Sequence, residues 1–289
     1  MKLIRPSAEI WAQEPGISGV YKQIERCARV CYKSEDKIGE GTAEKMVEML
    51  TKRGHTAMLE HGTVYLSFSP EEGGSNIFLW ECANSPYSKI VYDKDTNRNY
   101  LTTNYRVLVE NSWLDSLKYL CAPTKYHEKR VTVHFICDRG VSHELVRHRV
   151  FSFAQESTRY CNYSKDKFGN EITFIIPCWM SLTAADLKDR DLLTNSEDNW
   201  IKALLCAEQA YFDLLNGSSS PTIFGGICSG NFEKWTPQQA RAVLPNSLKT
   251  EVCMTGFMSD WEHFFELRTA QNAHSQMREL AIPLKEMMI

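Results

Sequence analysis

The sequence predicts an α+β fold, on three observations. Apolar residues recur at helical spacing in several long runs. Between them lie short runs rich in β-branched and aromatic residues, which read as strands. The 289 residues suit one large domain or two small ones and are enough to bury a substantial core.

Taken in order, residues 17–33 read as a helix. Val20, Ile24, Ala28 and Cys31 share one face, and Ser18 is a possible cap. Residues 41–53 read as a second helix with Ala43, Met46, Val47 and Leu50 inward, stopped at Gly54. Residues 63–69 alternate and read as a strand, as do 131–137. The stretch at about 70–130 reads as an insertion within the domain. It holds turn chemistry over Asp93 to Asn99, a strand entering a helix over Tyr100 to Leu108, and a short helix near Trp113 to Leu120.

Residues 140–149 turn helical. Cys161 to Asn170 is a loop, and Ile172 to Ile176 a strand ending at Pro177. Residues 196–215 form an amphipathic helix with Trp200, Leu204, Ala207, Tyr211 and Leu214 on its buried face, broken by Ser218 to Pro221. A short helix lies between Pro237 and Pro245, with Pro237 suited to its first turn. Residues 249–257 read as a strand. Ser259 then caps a helix to about Arg268, and a last helix runs from about Asn272 toward Met287, with a possible kink at Pro283.

Hydrophobic residues make up 43% of the chain and charged ones 24%, ordinary globular values, and the net charge is −3. That balance argues against a nucleic-acid coat, which carries a strongly basic face. The ten cysteines are scattered without a CxxC pair, and the start Met1 to Pro6 turns polar at once. Reduced thiols in a cytoplasmic protein are expected. No apolar run approaches the roughly 20 residues of a membrane span.

One stretch concentrates charge: Arg147, His148, Arg149, Ser157, Arg159 and Tyr160 fall between positions 147 and 160, beside Phe151 and Phe153. It reads either as a solvated amphipathic edge or as a site for something anionic, planar, or both, since arginine forks match phosphate and stack on rings. Just before it, His143 and His148 nearly spell a zinc-protease HExxH. The spacing is one residue too long, and at about 100° per residue the two histidines cannot face one metal, so no metal is expected. His55, Glu60 and His61 sit around a turn and read either as a cluster with chemistry or as local hydrogen bonding. Arg241 and Arg268 lie on helices, where arginine commonly complements the dipole.

The spacing Arg147-His148-Arg149, seven residues, then Ser157 resembles the RHR-x7-S signature of the flavin-dependent thymidylate synthase family. The likeness extends through Arg159 and Tyr160. Ala28 to Cys31, Gly54 to His61, Gln239 to Pro245, and Phe265 to Ala281 resemble further family blocks in the same order. The resemblance implies a single domain over 1–289 built on a central, mostly antiparallel sheet flanked by helices. It implies methylation of dUMP to dTMP. The one-carbon donor is 5,10-methylenetetrahydrofolate, with FAD as cofactor and NADPH as reductant, in a homotetramer whose active sites draw on several subunits.

On the same footing Arg268 is the catalytic cation at the pyrimidine. Glu144, Arg147, Gln155, Glu156, Ser157, Thr158, Arg159 and Arg241 would contact dUMP. Arg147, His148, Arg149, Gln155, Cys31, His55 and His263 would contact FAD. The family often has Asn-Glu where Ala154 and Gln155 stand, Ser at Cys31, Asn at His263 and His at Asn272. Two rivals are weighed. The cysteine-nucleophile thymidylate synthase is faintly echoed by Pro177-Cys178-Trp179. A non-catalytic nucleotide- or RNA-binding protein would use the arginine and aromatic stretch.

Overall fold

A computed structural model describes residues 1–72, 76–183, 193–217 and 233–289. Strands β1 (Lys2–Ile4) and β2 (Ser7–Trp11) lead into helices α1 (Gly16–Val30) and α2 (Thr42–Lys52). Then come β3 (Thr63–Phe68), α3 (Asn76–Asn84), β4 (Lys89–Asp93), β5 (Arg98–Asn104) and α4 (Tyr105–Glu110). The second half holds β6 (Arg130–Asp138), α5 (Arg139–Leu145), β7 (Ser152–Gln155), β8 (Thr173–Ile175) and α6 (Asn195–Asn216). It closes with α7 (Pro237–Ala240), β9 (Lys249–Phe257), α8 (Met258–Arg268) and α9 (Ser275–Met288).

Among the described residues the strands form three sheets. A four-stranded sheet runs β2-β6-β9-β7 and is antiparallel throughout. A three-stranded antiparallel sheet runs β3-β5-β4, and β1 pairs with β8 in parallel. The α+β class with mostly antiparallel pairing is therefore what the chain adopts.

The pleat of β6 and β9 explains the layers, because alternate side chains point to opposite faces. Val133, Phe135, Cys137, Val252 and Met254 meet Trp261, Phe264 and Phe265 of α8 and Met277, Leu280 and Leu284 of α9. Each such side chain stabilises the fold by roughly 1.5–3 kcal/mol when fully buried. The opposite face carries Thr132, His134, Glu251, Cys253 and Thr255. There Cys253 packs with Cys27 and Val30 of α1, and with Trp11 and Ala154. The three-stranded sheet packs through Val64, Leu66, Phe68 and Leu101 on Val20, Ile24, Val47 and Leu50 of α1 and α2.

Several local expectations change. Ser18 does not cap α1; the flanking residue is Pro15, without a side-chain cap. Ser259 lies inside α8, where its hydroxyl donates to Glu128 Oε1 at 2.6 Å. The first turn is instead closed by the Asp260 carboxylate, which accepts from the Phe257 N–H at 3.2 Å. The helix near Trp113 is a 3-10 turn at Leu114–Tyr119. α9 continues through Pro283. On α6 the buried positions are Ile201, Leu204 and Tyr211, with Trp200 only half-buried. The break at Ser218 to Pro221 lies outside the described residues. β1, β2, β4 and β7 are additional strands. They are short, and the one that matters most, β7, runs through the cationic stretch.

Candidate active site

The cationic stretch is a helix end, a turn and an edge strand. Asp138 starts α5 by accepting from the Val141 N–H at 2.7 Å. α5 carries Glu144 in its last turn, and Arg147 to Val150 form the bend. Phe151 pins that bend, packing edge-on to Trp261 with ring centroids 4.7 Å apart. β7 then joins β9 in the register Ser152↔Thr255 to Gln155↔Val252. Arg147 and Arg149 are exposed and have no side-chain partner among the described residues.

Arg268, the last residue of α8, reaches back to α5. Its NH1 donates to Glu144 Oε2 at 2.8 Å, its NH2 to the Glu144 carbonyl at 3.3 Å, and its Nε to His148 Nε2 at 2.9 Å. His148 must be neutral to accept there. Burial, then the charge of Arg268 and that of His263, push its pKa down to about 4. The ring of His148 is seated edge-on against Phe264, at 5.0 Å. The other oxygen of Glu144 meets His274 Nδ1 at 3.0 Å. His274 is a member of this cluster that no sequence motif marks. It reaches Glu144 from the turn between Arg268 and Ser275.

Beyond β7 the side chains diverge. Gln155 donates to Ser142 Oγ at 2.9 Å and to Thr250 Oγ1 at 3.2 Å. Glu156 points the other way. Its carboxylate accepts from Lys249 Nζ at 2.8 Å and from the Tyr163 hydroxyl at 3.2 Å, and its side chain is 1% exposed. The expected contact between Glu156 and dUMP thus meets a carboxylate already engaged inside the fold. The Ser157 N–H donates to the Cys31 carbonyl at 2.9 Å. Arg241 NH1 donates to the Thr158 hydroxyl at 3.1 Å, and Arg159 Nε to Gln238 Oε1 at 3.0 Å. Gln238 and Arg241 come from the short helical stretch begun by Thr236 and Pro237. Neither Arg159 nor Arg241 is paired with a carboxylate among the described residues.

A groove of about 810 Å³ opens beside Cys31 and His55. Ala28, Met46, Met49 and Met58 give it an apolar wall, and Arg29, Arg53 and Lys167 add cations. Cys31 lies against Met58, Sγ to Sδ 3.8 Å. Burial, the largest influence, pushes its thiol pKa up to about 11, so it is a neutral wall residue and a poor nucleophile. His263 is not part of the groove lining; it is exposed on α8, with Nδ1 3.4 Å from Glu266 Oε2. No group of three or more His, Cys, Asp or Glu gathers as a metal site among the described residues. Nor is any helix among them long and apolar enough to cross a membrane.

Several of the sequence-predicted residues therefore fall into three sets. Glu144, His148 and Arg268 form one cluster. Thr158 and Arg241 form another, beside Arg159. Cys31 and His55 line the groove, tied to the second set through Ser157.

The family model Thy1, thymidylate synthase complementing protein, matches residues 123–289. The flavin-dependent thymidylate synthase of Pyrococcus furiosus is 30% identical over 152 residues, covering 53% of this chain and 51% of the relative. That of Mycobacterium leprae strain Br4923 is 33% identical over 147 residues, covering 50% and 52%. The chain spans about half the length of the curated relatives it matches. A solved structure, the UMP/dUMP methylase PolB from Streptomyces cacaoi bound with 5-Br dUMP, is 16% identical. It covers 99% of this chain and 92% of its own, with a TM-score of 0.42, a likeness too distant to carry an argument. The match over more than half of its residues, which include every member of the Glu144, His148 and Arg268 cluster, makes this chain a member of the Thy1 family, the flavin-dependent thymidylate synthases.

Proposed function

We propose that this chain methylates dUMP to dTMP, with 5,10-methylenetetrahydrofolate as carbon donor and FAD reduced by NADPH. The observation that carries the reading is a set of uncompensated cations within the family-matched residues. Arg147, Arg149, Arg159 and Arg241 lack carboxylate partners among the described residues, in a chain of net charge −3. Such arginines suit a nucleotide phosphate and a cofactor pyrophosphate. Arg159 and Arg241 would take the phosphate of dUMP, with Ser157, Thr158 and Gln155 around the nucleoside.

Arg268 would do the electrostatic work. Uracil C5 has to become electron-rich to attack an electrophilic carbon, and charge then develops on the ring's N3–O edge. A fixed cation there stabilises it. Glu144 and neutral His148 hold the guanidinium plane, and a guanidinium has more N–H donors than these three contacts use.

The groove fits a flavin. Its volume is that of a cofactor site, its methionines and alanines offer a flat apolar wall, and its basic rim suits phosphate. Cys31 and His55 would line the ring's pocket, and Arg147, His148 and Arg149 would complete it. FAD, when bound, supplies the reducing equivalents that turn the transferred carbon into a methyl group. The separation of the site residues into three sets favours a homotetramer in which neighbouring subunits complete each site.

The same reading makes 1–289 one domain of the family's fold in the cytoplasm. The insertion at about 70–130 extends β3 with β5 and β4. The test is direct. The purified protein should be yellow, sediment as a tetramer, oxidise NADPH faster when dUMP is added, and form dTMP. A colourless protein that cannot be reconstituted with FAD would sink the assignment.

A further inference from the structure

The α1-side face of the four-stranded sheet carries charges that the reaction described above leaves unused. Lys249 Nζ donates to Glu156 Oε2 at 2.8 Å and to Glu251 Oε1 at 2.5 Å. Lys33 Nζ, arriving from the loop after α1, reaches both oxygens of Glu251 at 2.9 Å and Glu35 Oε1 at 2.7 Å. His134 Nε2 lies 2.9 Å from Glu251 Oε2. Of these groups, Lys33, Glu156, Lys249 and Glu251 border a cavity of about 440 Å³.

Two features make this more than ballast. Buried charges are costly to desolvate, and an apolar filling of the same shape is often as stable or more so. What such a network can supply is a fixed geometry. The second feature is its two ends. One end is Glu156, whose chain neighbours Gln155 and Ser157 belong to the nucleotide segment. The other is Lys33, a non-glycine residue at φ +48°, flanked by Tyr32 and Ser34 of the groove rim. The left-handed turn is clamped again by Lys167, whose Nζ donates to the carbonyls of Tyr32 at 3.2 Å and Lys33 at 2.9 Å. The Ser157 N–H to Cys31 carbonyl bond joins the same two segments directly.

We propose that Lys249 and Lys33 are positioning residues that hold the nucleotide segment 155–159 in fixed register with the groove rim 31–34. Lys249 acts through Glu156, and Lys33 through Glu251 and its own backbone. Neither lysine touches substrate. The inference rests on the dUMP-methylating reading of the site.

The test uses the full-length, FAD-loaded protein and steady-state kinetics with dUMP. Lys249→Met should raise KM for dUMP about tenfold or more while kcat and flavin content stay within about twofold, since misplacement by about 1 Å is felt at the site. Lys249→Arg should restore KM to near wild type, the adjoining cavity giving room for the guanidinium. If Lys249→Met does not fold, Lys33→Met, whose lysine is more exposed, takes its place and should raise KM for dUMP in the same way. A folded variant with unchanged KM and only a lower melting temperature overturns the inference while the functional reading stands. So does a Lys249→Arg protein as impaired as Lys249→Met. A wild-type protein with neither flavin nor dUMP turnover overturns both.

Discussion

Gly256→Ala tests how tightly the cationic stretch is pinned. A methyl group at this position of β9 would stand 2.3 Å from Phe151 Cδ1 and 2.4 Å from Cε1. Carbon atoms rest at about 3.5–4.0 Å, so the ring or the strand has to yield by about 1 Å. The ring has little room to yield. It is buried, with Trp261 at 4.7 Å and Phe264 at 6.4 Å between centroids. The displacement passes instead into the bend carrying Arg147, His148 and Arg149. Overpacking of this kind costs about 1–3 kcal/mol. That corresponds to a fall in melting temperature of about 2–5 °C, at roughly 1.5–2 °C per kcal/mol for a chain of this size. A shift of about 1 Å at a binding segment can lower kcat/KM by as much as about a hundredfold. Calorimetry and dUMP-dependent NADPH oxidation read the two effects. The double variant Gly256→Ala with Phe151→Leu should recover part of both, because the smaller side chain vacates the contested space. A single variant as stable and as active as wild type would show that Phe151 is not wedged against β9, and the account of the bend would fail.

Other perturbations separate the roles of the site residues. Arg268→Ala should lower kcat by about a hundredfold to a thousandfold, the scale of one lost transition-state donor, with flavin content near wild type; equal loss of both would mark a structural arginine. Arg241→Ala removes a charged hydrogen-bond donor of roughly 1.5–3 kcal/mol, so KM for dUMP should rise about tenfold to a hundredfold, and a KM unmoved would place the phosphate elsewhere. Acid should destabilise the fold through two histidines held neutral. Burial holds the His61 pKa down to about 4, with Glu60 opposing and Arg130 assisting, and His148 is held at about 4 as well. The unfolded chain binds these protons first, so the contribution is complete above about pH 6.5 and is lost as pH falls to about 4, roughly 3 kcal/mol for fully buried His61. Denaturant unfolding at pH 7 and pH 4.5 measures it; a His61→Gln protein with the same pH slope as wild type would contradict the assignment.

Legibility followed length and locality. β6 and β9 were readable because each has nine residues with a regular pattern, and their ends agree with the expected ones to within a residue. β7 was not, since four residues hold too little periodicity and their partner lies about a hundred positions away, Phe153 against Met254. Serine caps were misread at Ser18 and Ser259 because a hydroxyl near a helix start is only a candidate until the backbone bend is known. Among site residues, the density of Arg147 to Arg159 was visible directly. His274 was not, because it meets Glu144 only through the packing of the α8–α9 turn on α5, 130 positions away in the chain.

The sequence by itself determined the α+β class, the helix and strand periods, the family and the residue types available for anion and ring binding. These are local properties, written in spacing and composition. Only the tertiary structure decided which way the side chains at 155 and 156 point, and therefore that Gln155 joins Ser142 and Thr250 while Glu156 is drawn inside to Lys249. It alone brought Lys33 to Glu251, 218 positions apart, and Arg268 to Glu144, 124 positions apart. Pairings across such distances depend on how sheets and helices close on one another, and no local pattern encodes that closure.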